Sequence, residues 1–307
     1  MMSLIAEQLL NGIQLGILLF LIAAGLTLIF GVMDFINLSH GSLFMMGAYF
    51  SVLFQSLTGS FFLSIGFAAI AVFGLGMLLE ILLVRRLYAR SHLDHVLVTY
   101  GLILIANESV ILIWGSVPIF SGIPDALAGQ VPLPFGIDYP AYRLVVILVG
   151  MLVGLLLFVL IQKTRIGMLV RAGATNRIMV SVLGVNISLL YTLVFALGAL
   201  LAGLAGAMAG PILSVQPGMG ETVLILSFVV VVIGGLGSIR GALLAAMIVG
   251  LIDTMGRAFL RDILSTVVSP QVAGEMGPAL ASMLVYILMA LILFFRPEGL
   301  LPLQKRN

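Results

Sequence analysis

Apolar residues in this chain do not alternate with polar ones; they run in long blocks. Candidate blocks fall at 9 to 30, 38 to 57, 60 to 84, 95 to 114, 142 to 162, 188 to 210, 221 to 236, 241 to 260 and 278 to 295. Most approach the roughly 20 residues that a helix needs to cross hydrocarbon. The pattern therefore predicts an all-α integral membrane protein, a polytopic helical bundle of about nine spans formed as one unit over residues 1–307. The block at 221 to 236 is short, and with the Gly-rich turn GGLGS it can instead form a re-entrant hairpin with the next segment. Seven or eight crossings are then the alternatives.

Composition points the same way. With 62% hydrophobic and 8% charged residues, the chain has too little polar surface to cover a soluble core. The opening MMSLIAEQLLNGIQLG carries Glu7 and no Lys or Arg ahead of the apolar run, unlike a cleavable signal, so the first span is expected to be retained. The lack of cysteine excludes disulfides, thiolate metal sites and cysteine nucleophiles. Basic residues are scarce and are not interleaved with aromatic ones, so no nucleic-acid surface is expected.

Charge placement gives orientation, because loops on the cytoplasmic side carry the excess of Lys and Arg. Arg85, Arg86 and Arg90 follow the third span; Lys163, Arg165, Arg171 and Arg177 follow the fifth; Arg296, Lys305 and Arg306 follow the last. Alternation over nine spans places these clusters on one side. The other side receives Arg143, Arg257 and Arg261 with Glu7, Asp125, Asp138, Glu221, Asp262 and Glu275. The N-terminus is expected outside and the C-terminus in the cytoplasm. Nine spans also divide as four, one and four, so two sets of four would enter the membrane in opposite senses, an inverted pseudo-repeat of the kind transporters use. Ala24-Gly25-Leu26 and Ala202-Gly203-Leu204 are its only echo in sequence.

In the sixth span Gly198, Ala202, Gly206 and Gly210 recur every four residues along one face. Close helix packing is the ordinary reading, and room along a substrate path the alternative; Gly150 and Gly154 in the fifth span invite the same choice.

A carboxylate at the bilayer centre costs at least about 2.5 kcal/mol, so Glu80, Glu108 and Asp253 need partners or purposes. Glu80 lies about a turn from Arg85 and Arg86 and is expected to pair or reach the interface. Asp253 has Arg257 four residues on, which suits a structural ion pair. Glu108 has no such neighbour. It forms a polar notch with Asn107 and Ser109, and either an interhelix hydrogen bond or a place on a translocation path would explain it. Asn37, Ser39 and His40, in DFINLSHGS between the first two spans, are the other path candidates. His92 and His95 flank Asp94, but no further His or Cys is near to complete a tetrahedral metal site. The methionines are scattered as packing residues are. No Ser, His and acid share a spacing that suggests hydrolysis, so neither a catalytic residue nor a bound cofactor is expected.

Active transport needs an energy source. The phosphate loop requires Gly-x-x-x-x-Gly-Lys followed by Ser or Thr, yet the only lysines, Lys163 and Lys305, each follow Gln. Any ATP coupling must therefore come from a partner touching the cytoplasmic face. The best docking candidate is KTRIGMLVRAGATNRIMVSVLGVN, which with the next residue makes a loop over 163–187 that is basic and free of acid. Arg171, Arg177, Met179, Leu183 and Gly184 are its candidate contact residues. An amphipathic loop lying on lipid is the competing reading.

The chain resembles the branched-chain amino acid ABC transporter permeases, specifically the shorter of their two permease subunits. The likeness spans nearly the whole chain and is strongest in GLTLIFGVMDFINLSHGSLFMMGAY at 25 to 49, TRIGMLVRAGATNRIMVSVLGVN at 164 to 186, LYTLVFALGALLAGLAG at 190 to 206 and FVVVVIGGLGSIRGALLAA at 228 to 246. One departure is that relatives often carry an acidic residue near Ile178. The resemblance implies a non-catalytic permease domain of a heteromeric importer in the bacterial inner membrane. Its partners would be a second homologous permease, two ATP-binding cassette ATPases that hold the ATP, a periplasmic substrate-binding protein and membrane lipids. Closure of the ATPases would reach the spans through the 163–187 loop as alternating access. Leucine, isoleucine and valine are the implied cargo, with other amino acids, amides or urea as alternatives. The competing class is an ion-coupled secondary transporter or channel for small polar solutes, using Glu108 as its coupling group.

Overall fold

A helix that is apolar on every side is stable only where every side is covered, and the first segment, α1 (Met2–Met33), is such a helix. It runs through the centre of the molecule, with Ile17 to Ala24 all buried. The computed structural model describes residues 2–134 and 136–302; the side chains of Met2, Arg177 and Ile178 also fall outside the description, as do Lys305 and Arg306. After α1 come α2 (His40–Thr58), α3 (Phe61–Leu82), a 3-10 turn (Val84–Leu87) and α4 (His92–Trp114). A second such turn (Asp125–Leu127) precedes a short antiparallel hairpin of β1 (Gln130–Leu133) and β2 (Ile137–Pro140). Then follow α5 (Ala141–Lys163), α6 (Arg165–Thr175), α7 (Arg177–Val182), α8 (Ile187–Ala209), α9 (Met219–Gly234), α10 (Ile239–Leu264) and α11 (Pro270–Phe295).

The chain is thus an all-α polytopic membrane protein. Seven helices, α1, α3, α4, α5, α8, α10 and α11, are long and apolar enough to cross a membrane. The other two apolar segments are α2, of 19 residues, and α9, of 16. The hairpin, like α6 and α7, lies outside the apolar blocks; Gly136, at φ +69°, supplies the left-handed residue of its turn.

Two central helices organise the packing. α1 lies along α10 and α5, α8 lies along α3 and α2, and α1 and α8 touch each other. Where they meet, a Cβ on Gly25 would sit 2.6 Å from the Gly198 carbonyl oxygen, and one on Gly198 would sit 3.0 Å from that of Gly25. Such contacts bring backbones together in a solvent that gives helices no hydrophobic reason to associate. Along the same stripe of α8, Ala202 is fully buried and Gly206 abuts the Phe44 carbonyl of α2, whereas Gly210 makes only ordinary contacts. In the fifth span Gly150 and Gly154 face Ile17 and Phe20 of α1. The outer helices are covered on one side only. Leu112 of α4 and Phe294 of α11 are both more than four-fifths exposed, as side chains facing lipid or another subunit would be.

Candidate translocation site

Two breaks in the helical backbone reach into the bundle. The first, residues 34–39, begins with Asp34, whose φ of +53° ends α1. The chain then folds back along α1, so that His40 Nε2 lies 3.1 Å from the Ile22 carbonyl oxygen. The second break, residues 210–218, ends at Gly218, whose φ of +82° sets up the start of α9. Irregular backbone at membrane depth needs its polar groups satisfied by protein, and α4 satisfies one in each break. The Thr99 hydroxyl accepts from the Leu38 N–H at 3.2 Å, and Asn107 Oδ1 accepts from the Gly218 N–H at 3.2 Å. Thr99, Ile103, Asn107 and Val110 recur at helical spacing and form the inward face of α4.

The breaks bring α2 and α9 together by their first turns. Gly41 and Gly220 leave no room for a Cβ on either, since each would strike the other's carbonyl oxygen. Around this point Asn37, Ser39 and His40 are buried. Ser39 Oγ donates to Asn37 Oδ1 at 2.7 Å, while Asn37 Nδ2 and His40 Nδ1 have no hydrogen-bond partner. Asn107 Nδ2 donates to Glu221 Oε1 at 2.6 Å, tying α4 to the first turn of α9, where a carboxylate also favours the positive helix end.

Of the path candidates, Asn37, Ser39, His40 and Asn107 are therefore grouped about the two breaks. Glu108 is not: it sits on the exposed face of α4 with Leu97, Leu104 and Leu112. Glu221, counted from sequence only as an outer-side charge at the start of the 221 to 236 block, lies in the first turn of α9. Sequence alone does not single out Thr99, Gly41 or Gly220, nor Glu221 as more than a charge; the Pro217-Gly218 pair just ahead of a short apolar block is the available signal for a helix starting inside the bundle.

The other intramembrane carboxylates have partners. Glu80 is fully buried. It accepts from Arg85 Nη2 at 3.0 Å, from the Thr192 hydroxyl at 2.6 Å and from the Tyr88 hydroxyl, so α3 is tied to the first turns of α8. Burial first, and then this hydrogen bond, push the Tyr88 phenol well above its usual range. Asp253 accepts from Arg257 through both oxygens, each at 2.9 Å. His92 Nε2 lies 3.9 Å from Asp34, and among the described residues no group of three or more His, Asp or Glu side chains could hold a metal ion.

The 163–187 segment folds as α6 and α7. Thr164, Asn176 and Asn186 cap α6, α7 and α8 in turn, each side chain accepting a backbone N–H. Gly167 and Val170 face inward; Gly167 packs so tightly on the Leu160 and Ile161 carbonyls that no side chain fits. Arg171, though exposed, donates to the Ile161 carbonyl at the end of α5. Met179, Val182, Leu183 and Gly184 are exposed, with Leu183 three-quarters so, while the Arg177 side chain lies outside the described residues.

Fold and site together describe a helical membrane protein with a broken polar centre and a projecting helical loop. Residues 8–293 match the family model described as branched-chain amino acid transport system / permease component, and the chain belongs to that family. It is 29% identical to the high-affinity branched-chain amino acid transport system permease protein BraD of Pseudomonas aeruginosa, over 96% of this chain and 95% of that one. It is 28% identical to the LivH permease protein of Escherichia coli K12, over 96% and 94%. A probable LivH of Methanocaldococcus jannaschii is 25% identical over 81% and 80%. No solved structure matches.

Proposed function

We propose that this chain is the membrane-spanning permease subunit of an ATP-driven importer, moving branched-chain or related hydrophobic amino acids across a bacterial inner membrane by alternating access. The observation that carries this reading is the family match over residues 8–293, which spans both backbone breaks and the 163–187 loop. The relatives' names supply the cargo class, and the site suits it. The first turn of α2 presents a helix N-terminus, which favours a carboxylate, whereas that of α9 already carries Glu221, and the Asn37 Nδ2 donor beside them is uncommitted.

Partners complete the machine: a second homologous permease, two ATP-binding cassette ATPases that bind the ATP, and a periplasmic substrate-binding protein. Glu108 faces away from the breaks and points to where a second permease would close the path. The ATPases dock on Met179, Leu183 and Gly184, with Arg177 and Arg171 at the rim. Their movement enters the bundle through α8, whose first turns hold Thr192 against Glu80.

An inverted four-plus-four arrangement is part of this reading and would serve alternation. α1 on α10 corresponds to α8 on α3, α2 corresponds to α9, and the Gly25–Gly198 and Gly41–Gly220 contacts are mutual, as contacts on a pseudo-twofold axis are. We place the N-terminus outside and the C-terminus in the cytoplasm. Under this placement Arg240 starts α10 on the same side as the basic clusters. The test is leucine uptake by proteoliposomes holding the purified assembly. Uptake that requires ATP inside or outside on the ATPase face supports the importer; uptake driven by a proton gradient without ATP replaces it with an ion-coupled carrier.

A further inference from the structure

A cavity of about 380 Å³ opens at the end of the bundle where α1 begins, lined by Gln8 and Asn11 of α1, Arg143 of α5, and Asp253, Thr254 and Arg257 of α10. It shares no residue with the backbone breaks or with the 163–187 loop. Three helices are needed to build it, and its polar groups are held in place. Asp253, only 5% exposed, is saturated by the fork of Arg257, which also donates to Ser282 at 3.2 Å. Asn11 accepts from Arg143 and, at 3.0 Å, from the Tyr139 hydroxyl, while its own amide holds Gln8 at 3.2 Å.

Charge and donors are left over. Two guanidinium groups face one carboxylate, so the lining residues carry a single net positive charge. Arg143 donates to Asn11 and interacts with the Tyr139 hydroxyl, leaving others of its five N–H donors for a ligand. A planar guanidinium fork fits a phosphate or carboxylate oxyanion, and phosphate best where several donors converge. The surroundings select the source: Leu4 and Leu9, on the first turns of the same α1, are each more than two-fifths exposed, as side chains along an acyl chain would be. We propose that this cavity is a phosphate site that holds the headgroup of an anionic phospholipid against α1, α5 and α10. It clamps the end of α1 to α10, and it stands whatever the cargo.

Full-length protein purified in mild detergent would be examined by native mass spectrometry and thermal unfolding with phosphatidylglycerol, phosphatidylcholine, inorganic phosphate or leucine added. Wild type should retain phosphatidylglycerol several-fold better than phosphatidylcholine, with a rise in unfolding temperature. Arg143→Gln should lose that preference and Arg143→Lys should recover part of it. Thr254→Ile, which fills the cavity and leaves the hydrogen bonds alone, guards against a folding defect and should also lose it. An Arg143-dependent rise with inorganic phosphate supports the same site with a free ion as its source. Equal retention of phosphatidylglycerol by wild type, Arg143→Gln and Thr254→Ile, or an Arg143-dependent rise produced by leucine alone, overturns the proposal.

Discussion

Gly41 and Gly220 press the first turns of α2 and α9 together, each filling the space where the other's Cβ would lie. From that point the helices leave for opposite ends of the bundle. α2 runs past Trp114, whose ring lies 5.0 Å from that of Tyr49, whereas α9 ends beside the segment that carries Leu300, whose N–H donates to the Ile233 carbonyl at 2.8 Å. Two short-range consequences follow, one for packing and one for the path.

The packing consequence is a steric one. Gly41→Val or Gly220→Val should lower the unfolding temperature of the purified protein, since overpacking costs roughly 1–3 kcal/mol. Gly66→Ala is the control: nothing lies within 4 Å of a Cβ there, and Ala is the better helix former. Equal unfolding temperatures for all three variants would mean that the α2–α9 contact is not close-packed.

For the path, Asn107 and Glu108 should separate by readout. Asn107→Leu should slow uptake and also lower the unfolding temperature, because the Gly218 N–H and Glu221 both lose their partner. Glu108→Gln should slow uptake with no change in unfolding temperature, because the residue is exposed on α4. Normal uptake by Glu108→Gln would remove Glu108 from the path.

This pair also shows what the sequence could and could not convey. Adjacent residues of a helix point about 100° apart, so the apparent notch at 107 to 109 is really two faces, one toward the breaks and one outward. The apolar blocks located the seven helices long and apolar enough to cross a membrane, because burial in lipid demands continuous apolar runs. The Asp253–Arg257 pair was legible because i and i+4 share a helix face. Thr192 was not legible as a partner of Glu80, since the contact joins residues 112 apart in sequence and depends on how α3 and α8 cross. The same holds for Thr99 and Leu38, and for the meeting of Gly41 with Gly220: glycine is common in this chain, and only the packing reveals which glycines touch.

Thr192 should matter to more than stability. Thr192→Val removes a hydrogen bond to a buried carboxylate, a loss of about 1.5–3 kcal/mol, so the unfolding temperature should fall. If α8 carries movement inward, ATP hydrolysis by the assembled transporter should also lose its dependence on cargo. A variant as stable and as tightly coupled as wild type would show that the Glu80–Thr192 bond transmits nothing.

Sidedness can be read directly, because the chain has no native cysteine. Gly129 and Ala174 are both exposed, in the loop before β1 and near the end of α6. In intact cells a cysteine at Gly129 should react with an impermeant maleimide and one at Ala174 should not. The opposite labelling would invert the topology.

If the α6–α7 loop couples this chain to ATPase subunits, as proposed, copurification reads that coupling without the intervening steps of transport. Met179 and Leu183 are exposed apolar side chains on a projecting helix and its cap, so Met179→Asp or Leu183→Asp would set a carboxylate into the contact. The ATPases should then fail to copurify, or should hydrolyse ATP without uptake. Reversing Arg177 should act more mildly, since rim charges tune association more than they hold it; Arg171 is a poorer probe because it also caps α5. A loop that merely lies on lipid would show the opposite ranking. Full copurification and uptake in both aspartate variants would contradict the account and place the ATPase contact elsewhere.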